Sequence, residues 1–213
     1  MYKIKLKIGG CNGLNNLKEF IGKNNIKLVL FGEYHGFLKQ IRVQNRILNE
    51  VAPNFFLYEM LENRNILNDG DAKLFFSKPS NKDFSFISKY GDLKPMIRLV
   101  RNLNLPLIGC DIKNMGAKSK DWRKSKFSSK KAEELTKKRE LQQAKVINHF
   151  SSKGLVFALL GDYHLRRNSL VLSKLKLKNA ILIRPSFKWG DDFNDLKNIK
   201  GKNISYLVKL YKK

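Results

Sequence analysis

One tetrapeptide, met twice behind the same kind of apolar run, constrains this chain more than any other feature. Gly32-Glu33-Tyr34-His35 follows Ile26-Lys27-Leu28-Val29-Leu30-Phe31, and Gly161-Asp162-Tyr163-His164 follows Leu155-Val156-Phe157-Ala158-Leu159-Leu160. A short run of bulky and β-branched apolar residues closed by glycine reads as a buried strand reaching its end. If the backbone stays extended through the tetrapeptide, the acid and the histidine share one face and the tyrosine takes the other. In open α/β sheets the carboxyl ends of the strands are where ligands bind. A lone histidine is ordinarily a surface or satisfied core residue. Two of the three histidines in 213 residues stand in this one frame, and that favours a shared site.

The rest of the chain alternates in the same manner. Met1 to Ile8 alternates polar and apolar residues as a strand does, and Leu14 to Asn25 has the spacing of a short helix. After the first tetrapeptide, Phe37 to Val51 keeps a helical rhythm that Pro53 stops, and Phe55-Phe56-Leu57-Tyr58 is a second buried strand ending in Glu59. Residues 61–90 carry turn signals at Asn68-Asp69-Gly70-Asp71 and Lys78-Pro79-Ser80-Asn81. A helix is expected over Leu93–Leu103, a third strand over Leu105–Cys110 ending at Asp111, and a basic loop or lid over 112–130. Lys131–Phe150 is the clearest helix, Leu155–Gly161 a fourth strand, and Leu165–Lys174 a further helix. Ala180–Ile183, closed by Arg184-Pro185, is a fifth strand, and Ile204–Leu210 suits an edge strand near the C-terminus. Strands alternating with helices define an α/β fold with a mainly parallel sheet flanked by helices. The length suits a single domain over 1–213, with an N-terminal strand and helix in residues 1–25.

Composition narrows the class. A hydrophobic fraction of 42% and an aromatic fraction of 11% belong to a globular chain. Cys11 and Cys110 are far apart and show no metal or redox spacing, which points to a reducing, cytoplasmic setting. No apolar stretch reaches the roughly 18 residues of a membrane span. The net charge of +25 is compatible with nucleic acid or an anionic surface as partner. Lysine is nevertheless spread along the whole chain, as a compositional bias would spread it. The densest basic stretch, Lys113 to Arg139, holds eleven Lys/Arg against three acids, with Trp122 and Phe127 as its aromatics. That gives little support for stacking on single-stranded bases.

Set side by side, the strand ends deliver Glu33 and His35, then Glu59, then Asp111, then Asp162 and His164. Such a set suits a divalent ion such as zinc, manganese or cobalt, with His35, His164, Glu59 and Asp111 as the expected ligands. The ion would acidify a bound water and so supply a nucleophile. Without a metal, His35 and His164 would serve as acid/base groups, with Glu33 and Glu59 as their carboxylate partners. Arg139, on the helix leading into the fourth strand, is the candidate to stabilise an oxyanion. Each acid also has a structural reading as a helix N-cap, and for Asp111 that reading carries equal weight.

At these residues the chain resembles the superfamily of the haem-uptake protein ChaN, the erythromycin esterases and the TIKI/TraB proteases. Its members carry a Gly-Glu-x-His-type motif after the first strand, as in Gly32-Glu33-Tyr34-His35-Gly36, and an acid after the second, as in Tyr58-Glu59-Met60. An Arg-acid pair opens a helix before the fourth strand, similar to Arg139-Glu140 with Ala144, and a second Gly-x-x-His matches Gly161-Asp162-Tyr163-His164. Gln143 stands where the family usually has methionine. The resemblance spans about Ile26 to Arg184 and implies hydrolysis of an ester or amide bond in a small-molecule or peptide substrate. That chemistry is metal-dependent in the TIKI-like branch and metal-free in the esterases. It also implies, as the alternative, haem or metal binding without turnover, with Tyr34, Tyr163 and the histidines as ligands.

Overall fold

Apolar runs too long for one face of a surface strand need cover on both sides, and the chain supplies it with helices on either face of one sheet. The structure, a computed structural model, describes residues 2–5, 7–8, 11–12, 17–34, 39–77, 93–116, 128–177, 179–186 and 206–212. The strands are β1 (Tyr2–Lys5), β2 (Lys7–Ile8), β3 (Cys11–Asn12), β4 (Leu28–Glu33), β5 (Phe55–Tyr58), β6 (Asn65–Ile66), β7 (Leu107–Gly109), β8 (Val156–Gly161), β9 (Ile181–Ser186) and β10 (Tyr206–Lys212). The helices are α1 (Leu17–Lys23), α2 (Lys39–Val51), α3 (Asp69–Ser77), α4 (Leu93–Asn102), α5 (Ser129–Ser151) and α6 (Leu170–Ser173). Among the described residues, three 3-10 turns, Glu59–Leu61, Lys113–Gly116 and Asp162–Leu165, follow directly or closely on strand ends.

The main sheet has eight strands in the order β1-β10-β9-β4-β8-β5-β7-β6. From β10 to β7 every pair is parallel, and the short strands β1 and β6 close the margins antiparallel. The fold is α/β with a mainly parallel sheet. The C-terminal strand β10, expected as an edge strand, lies second from one margin, with β1 paired on its outer side. β8 inserts between β4 and β5, so Glu33 faces Gly161 and Tyr58 faces Leu159. Both tetrapeptides therefore leave the sheet from neighbouring strands, with Glu59 on the far side of β8.

Alternation along the central strands divides the core in two. Val29, Phe31, Phe157 and Leu159 pack with α1, α2 and α4 through Leu17, Ile47 and Met96. Leu28, Leu30, Ala158 and Leu160 pack with α5 and α6 through Ile147 and Val171. Stacking of Phe56 on Phe157, 5.5 Å between centroids, ties β5 to β8 on the first face.

Several local expectations change. The second tetrapeptide does not stay extended: Asp162–Leu165 coils into a 3-10 turn. β9 does not stop before Arg184-Pro185 but runs through both to Ser186, so Arg184 is a strand residue. The helix expected over Leu165–Lys174 is confined to Leu170–Ser173. Of the basic loop, residues 113–116 form a 3-10 turn, and Ser128 caps α5 by accepting from Lys131 N at 3.3 Å. Residues 117–127 of that expected lid, with Trp122 and Phe127, lie outside the described residues.

Candidate functional site

β5 ends at Tyr58 and turns at once into Glu59–Leu61, which swings Glu59 towards the end of β8. Its Oε2 accepts from Gly161 N at 2.5 Å and its Oε1 from Arg139 Nη2 at 2.5 Å. Asp111 stands two residues beyond β7, where the backbone is tightly held. Gly109 N donates to Arg64 O at 2.6 Å and Asp111 N to Glu62 O at 2.9 Å. A side chain at Gly109 would run into the same two backbone carbonyls. Asp111 Oδ1 accepts from Ile112 N at 2.7 Å. Its Oδ2 accepts from Arg139 Nε at 2.8 Å, Arg139 Nη2 at 2.6 Å and Gln143 Nε2 at 3.3 Å. Arg139 is thus a fork joining two acids from two strand ends, and its planar donors suit that task.

His164 joins the same network from β8. Its Nε2 lies 3.3 Å from Glu59 Oε1 and its Nδ1 3.3 Å from Glu140 Oε1. Glu140 follows Arg139 on α5 and is wholly buried; its Oε2 accepts from Leu170 N at 2.8 Å, and its Oε1 also pairs with Arg166 Nη1. Burial by itself would depress the His164 pKa. The charge of Glu59 and the hydrogen bonds to Glu140 and Glu59 outweigh it and push the value up to about 9. At neutral pH His164 is an imidazolium, directing an N–H at each of two carboxylates. Three acids, Glu59, Asp111 and Glu140, face Arg139, Arg166 and His164.

The neighbouring groups respond in kind. Burial opposes ionisation of Glu140, yet His164, the Leu170 amide and Arg166 hold its pKa below the usual value. Asp111 is raised, burial outweighing the opposing pull of Arg139. Arg139 resists deprotonation more than usual, because Glu59 and Asp111 overcome the effect of its burial.

A second buried pair lies beside this network. Arg184 Nε donates to Asp162 Oδ1 at 2.6 Å, and its Nη2 pairs with Asp162 Oδ2. Gly32 on β4 makes room for the acid, since a Cβ there would lie 2.5 Å from Asp162 Oδ1.

Glu59, Asp111 and His164, expected at one edge, come together there, and Arg139 reaches them from α5. Glu33 is buried, but strand parity puts it with Val29 and Phe31 on the α1–α2–α4 face, whereas the network is anchored to α5 on the other. Tyr34 is 39% exposed, and the Gln40 amide brackets its peptide, accepting from Tyr34 N at 3.2 Å and donating to Tyr34 O at 2.8 Å. Tyr163 is 64% exposed although Asp162, His164 and Leu165 around it are buried. His35 lies outside the described residues.

The described residues do not fit the divalent ion expected at His35, His164, Glu59 and Asp111. Both His164 nitrogens face carboxylates, and the acid oxygens accept from Arg139 and from backbone amides. Among the described residues no group of three or more His, Cys, Asp or Glu is placed to hold a metal ion. Glu140, Arg166, Arg184 and Gln143 were given no site role by sequence reasoning. Glu140 was in view beside Arg139. Arg184 looked like a strand terminator, and nothing local marked Arg166.

No family model matches the chain, and no curated protein matches it. Among solved structures it is similar to ChaN of Campylobacter jejuni, in a structure showing cofacial heme binding. The TM-score is 0.50 at 16% sequence identity, over 91% of this chain and 90% of that chain. At that identity the likeness shows a ChaN-like fold. No helix among the described residues is long and apolar enough to cross a membrane.

Proposed function

We propose that this chain, one cytoplasmic α/β domain, binds a small planar iron ligand of the haem type at the carboxyl edge of its sheet. The observation that carries this reading is Tyr163: an exposed phenol on a turn whose other side chains are buried, Asp162 and His164 among them held by ion pairs. Ferric haem accepts a tyrosinate oxygen as axial ligand. Tyr163 and Tyr34 are the candidates to hold it, and each leaves the sheet just beyond the paired residues Gly161 and Glu33. When bound, the group would supply iron-centred ligand exchange or transport. The haem bound by the ChaN structure supports the reading by analogy of fold alone. His35, next to Tyr34, belongs to the same proposal as a second candidate ligand.

The test is an absorption titration with haemin. A saturable Soret shift at one equivalent, lost in Tyr163→Phe, is the expected outcome. No shift, or a shift identical in Tyr163→Phe, Tyr34→Phe and the unmodified chain, overturns it.

A second reading, hydrolysis of an ester or amide bond, has its own support in the buried imidazolium. His164 carries a proton at neutral pH and could act as general acid towards a leaving group, with Arg139 steadying developing negative charge. Glu59 completes that proposal as the carboxylate partner of His164, with His35 as base. Turnover of model esters that is absent in His164→Gln would favour it over binding.

A further inference from the structure

Tyr163 has a neighbour that no motif marks. Arg166 lies at the end of the 3-10 turn, and its guanidinium carbon sits 4.2 Å from the centroid of the Tyr163 ring. The same side chain donates from Nη1 to Tyr163 O at 2.9 Å, and Arg166 N approaches that carbonyl at 3.4 Å. Its other contact is with Glu140 Oε1, on a carboxylate that has no solvent exposure. One guanidinium therefore ties the backbone and the ring of Tyr163 to a fixed charge on α5. The ring of His164, 6.1 Å away and nearly perpendicular at 75°, stands on the same turn.

We propose that Arg166 is the positioning residue of Tyr163: it lies over the phenol ring of a residue that stays 64% exposed. An unheld tyrosine with this exposure would sample several rotamers, and the ligand would have to order it on binding. A cation held over the ring by a buried acid removes much of that cost beforehand. The arm has the composition such a task needs. Glu140 is immobilised by the Leu170 amide and by His164, so the guanidinium is anchored at its far end. Arg166 retains 31% side-chain exposure, and Arg166→Lys keeps a cation beside the buried Glu140. The consequence for binding rests on the reading that Tyr163 touches the ligand; the positioning itself does not.

The experiment separates the two. In ligand-free protein carrying 13C-labelled tyrosine, with Tyr163 assigned through Tyr163→Phe, the ring resonances are expected away from random-coil positions. In Arg166→Met they should move to random-coil positions, and in Arg166→Lys they should return part of the way. Haemin affinity should fall about tenfold in Arg166→Met, the size expected from losing a cation–π contact with its charge-assisted anchor. Unchanged Tyr163 resonances in Arg166→Met overturn the inference whatever haemin does. Displaced resonances with no haemin binding in any form would sustain it and sink the proposed ligand instead.

Discussion

His164 and Glu140 meet at 3.3 Å between Nδ1 and Oε1, from two segments that share no local sequence signal. With Glu59 at the other ring nitrogen, the contact keeps the histidine protonated at neutral pH. This consequence bears on both proposed functions. An imidazolium can donate a proton or stabilise an anion, but it cannot ligate a metal until the proton leaves.

The raised pKa predicts a pH-dependent stability. The folded value of about 9 lies above the ordinary 6.5, so the contribution is fully present below about pH 6.5 and is lost as pH rises through about 9. Its full size is about 3 kcal/mol from the shift. Urea unfolding at intervals from pH 6 to 9.5 should show this decline in the unmodified chain. His164→Gln should lack it, and an equal slope in both proteins would sink the assignment.

Removing the fork should cost more than removing any one of its hydrogen bonds. Arg139→Met leaves Glu59 and Asp111 buried without a shared cation, a loss of about 3–5 kcal/mol for broken buried pairs. Both acids would then hold protons more readily, so the variant should regain part of its thermal midpoint as pH falls from 7 towards 5. A variant that weakens steadily on acidification would contradict the roles given to the two carboxylates.

Gly32→Ala tests the crossing of β4 by Asp162. The new methyl would lie 2.5 Å from Asp162 Oδ1 and 3.3 Å from Asp162 Cα, so the acid must shift away from Arg184. Overpacking of this kind costs about 1–3 kcal/mol. A lowered denaturation midpoint is expected, together with weaker haemin binding because the turn bearing Tyr163 starts at Asp162.

The charge of +25 makes a separable prediction. Any binding to DNA or RNA should weaken steeply with salt and be indifferent to Tyr163→Phe, because phosphate contacts carry it. Filter binding at two salt concentrations on both proteins decides the point. Salt-insensitive binding, or binding lost in Tyr163→Phe, would refute an origin in general surface charge.

Local signals in the chain reached the fold because burial writes itself into spacing. Val29 and Phe31 against Leu28 and Leu30, or Ile147 on a helix of good formers, are visible without coordinates. Even so, the turn at Asp162–Leu165 escaped, since a strand end and a 3-10 turn differ by a backbone rotation that no side-chain pattern reports. β9 was cut short at Arg184 for a related reason. A charged residue followed by proline reads as punctuation unless its buried partner, Asp162, is known.

By itself the sequence determined the class of fold and the edge at which the acids and His164 gather, because hydrophobic period and strand direction are local properties. Tertiary structure alone decided which of them meet. α5 brings Arg139 to Glu59 across 80 residues, and β8 slots between β4 and β5 so that Gly161 N reaches Glu59 across 102. The protonation of His164 follows from its own meetings with Glu59 and Glu140. Electrostatic energy depends on distance and burial in space, and neither is a function of position along the chain.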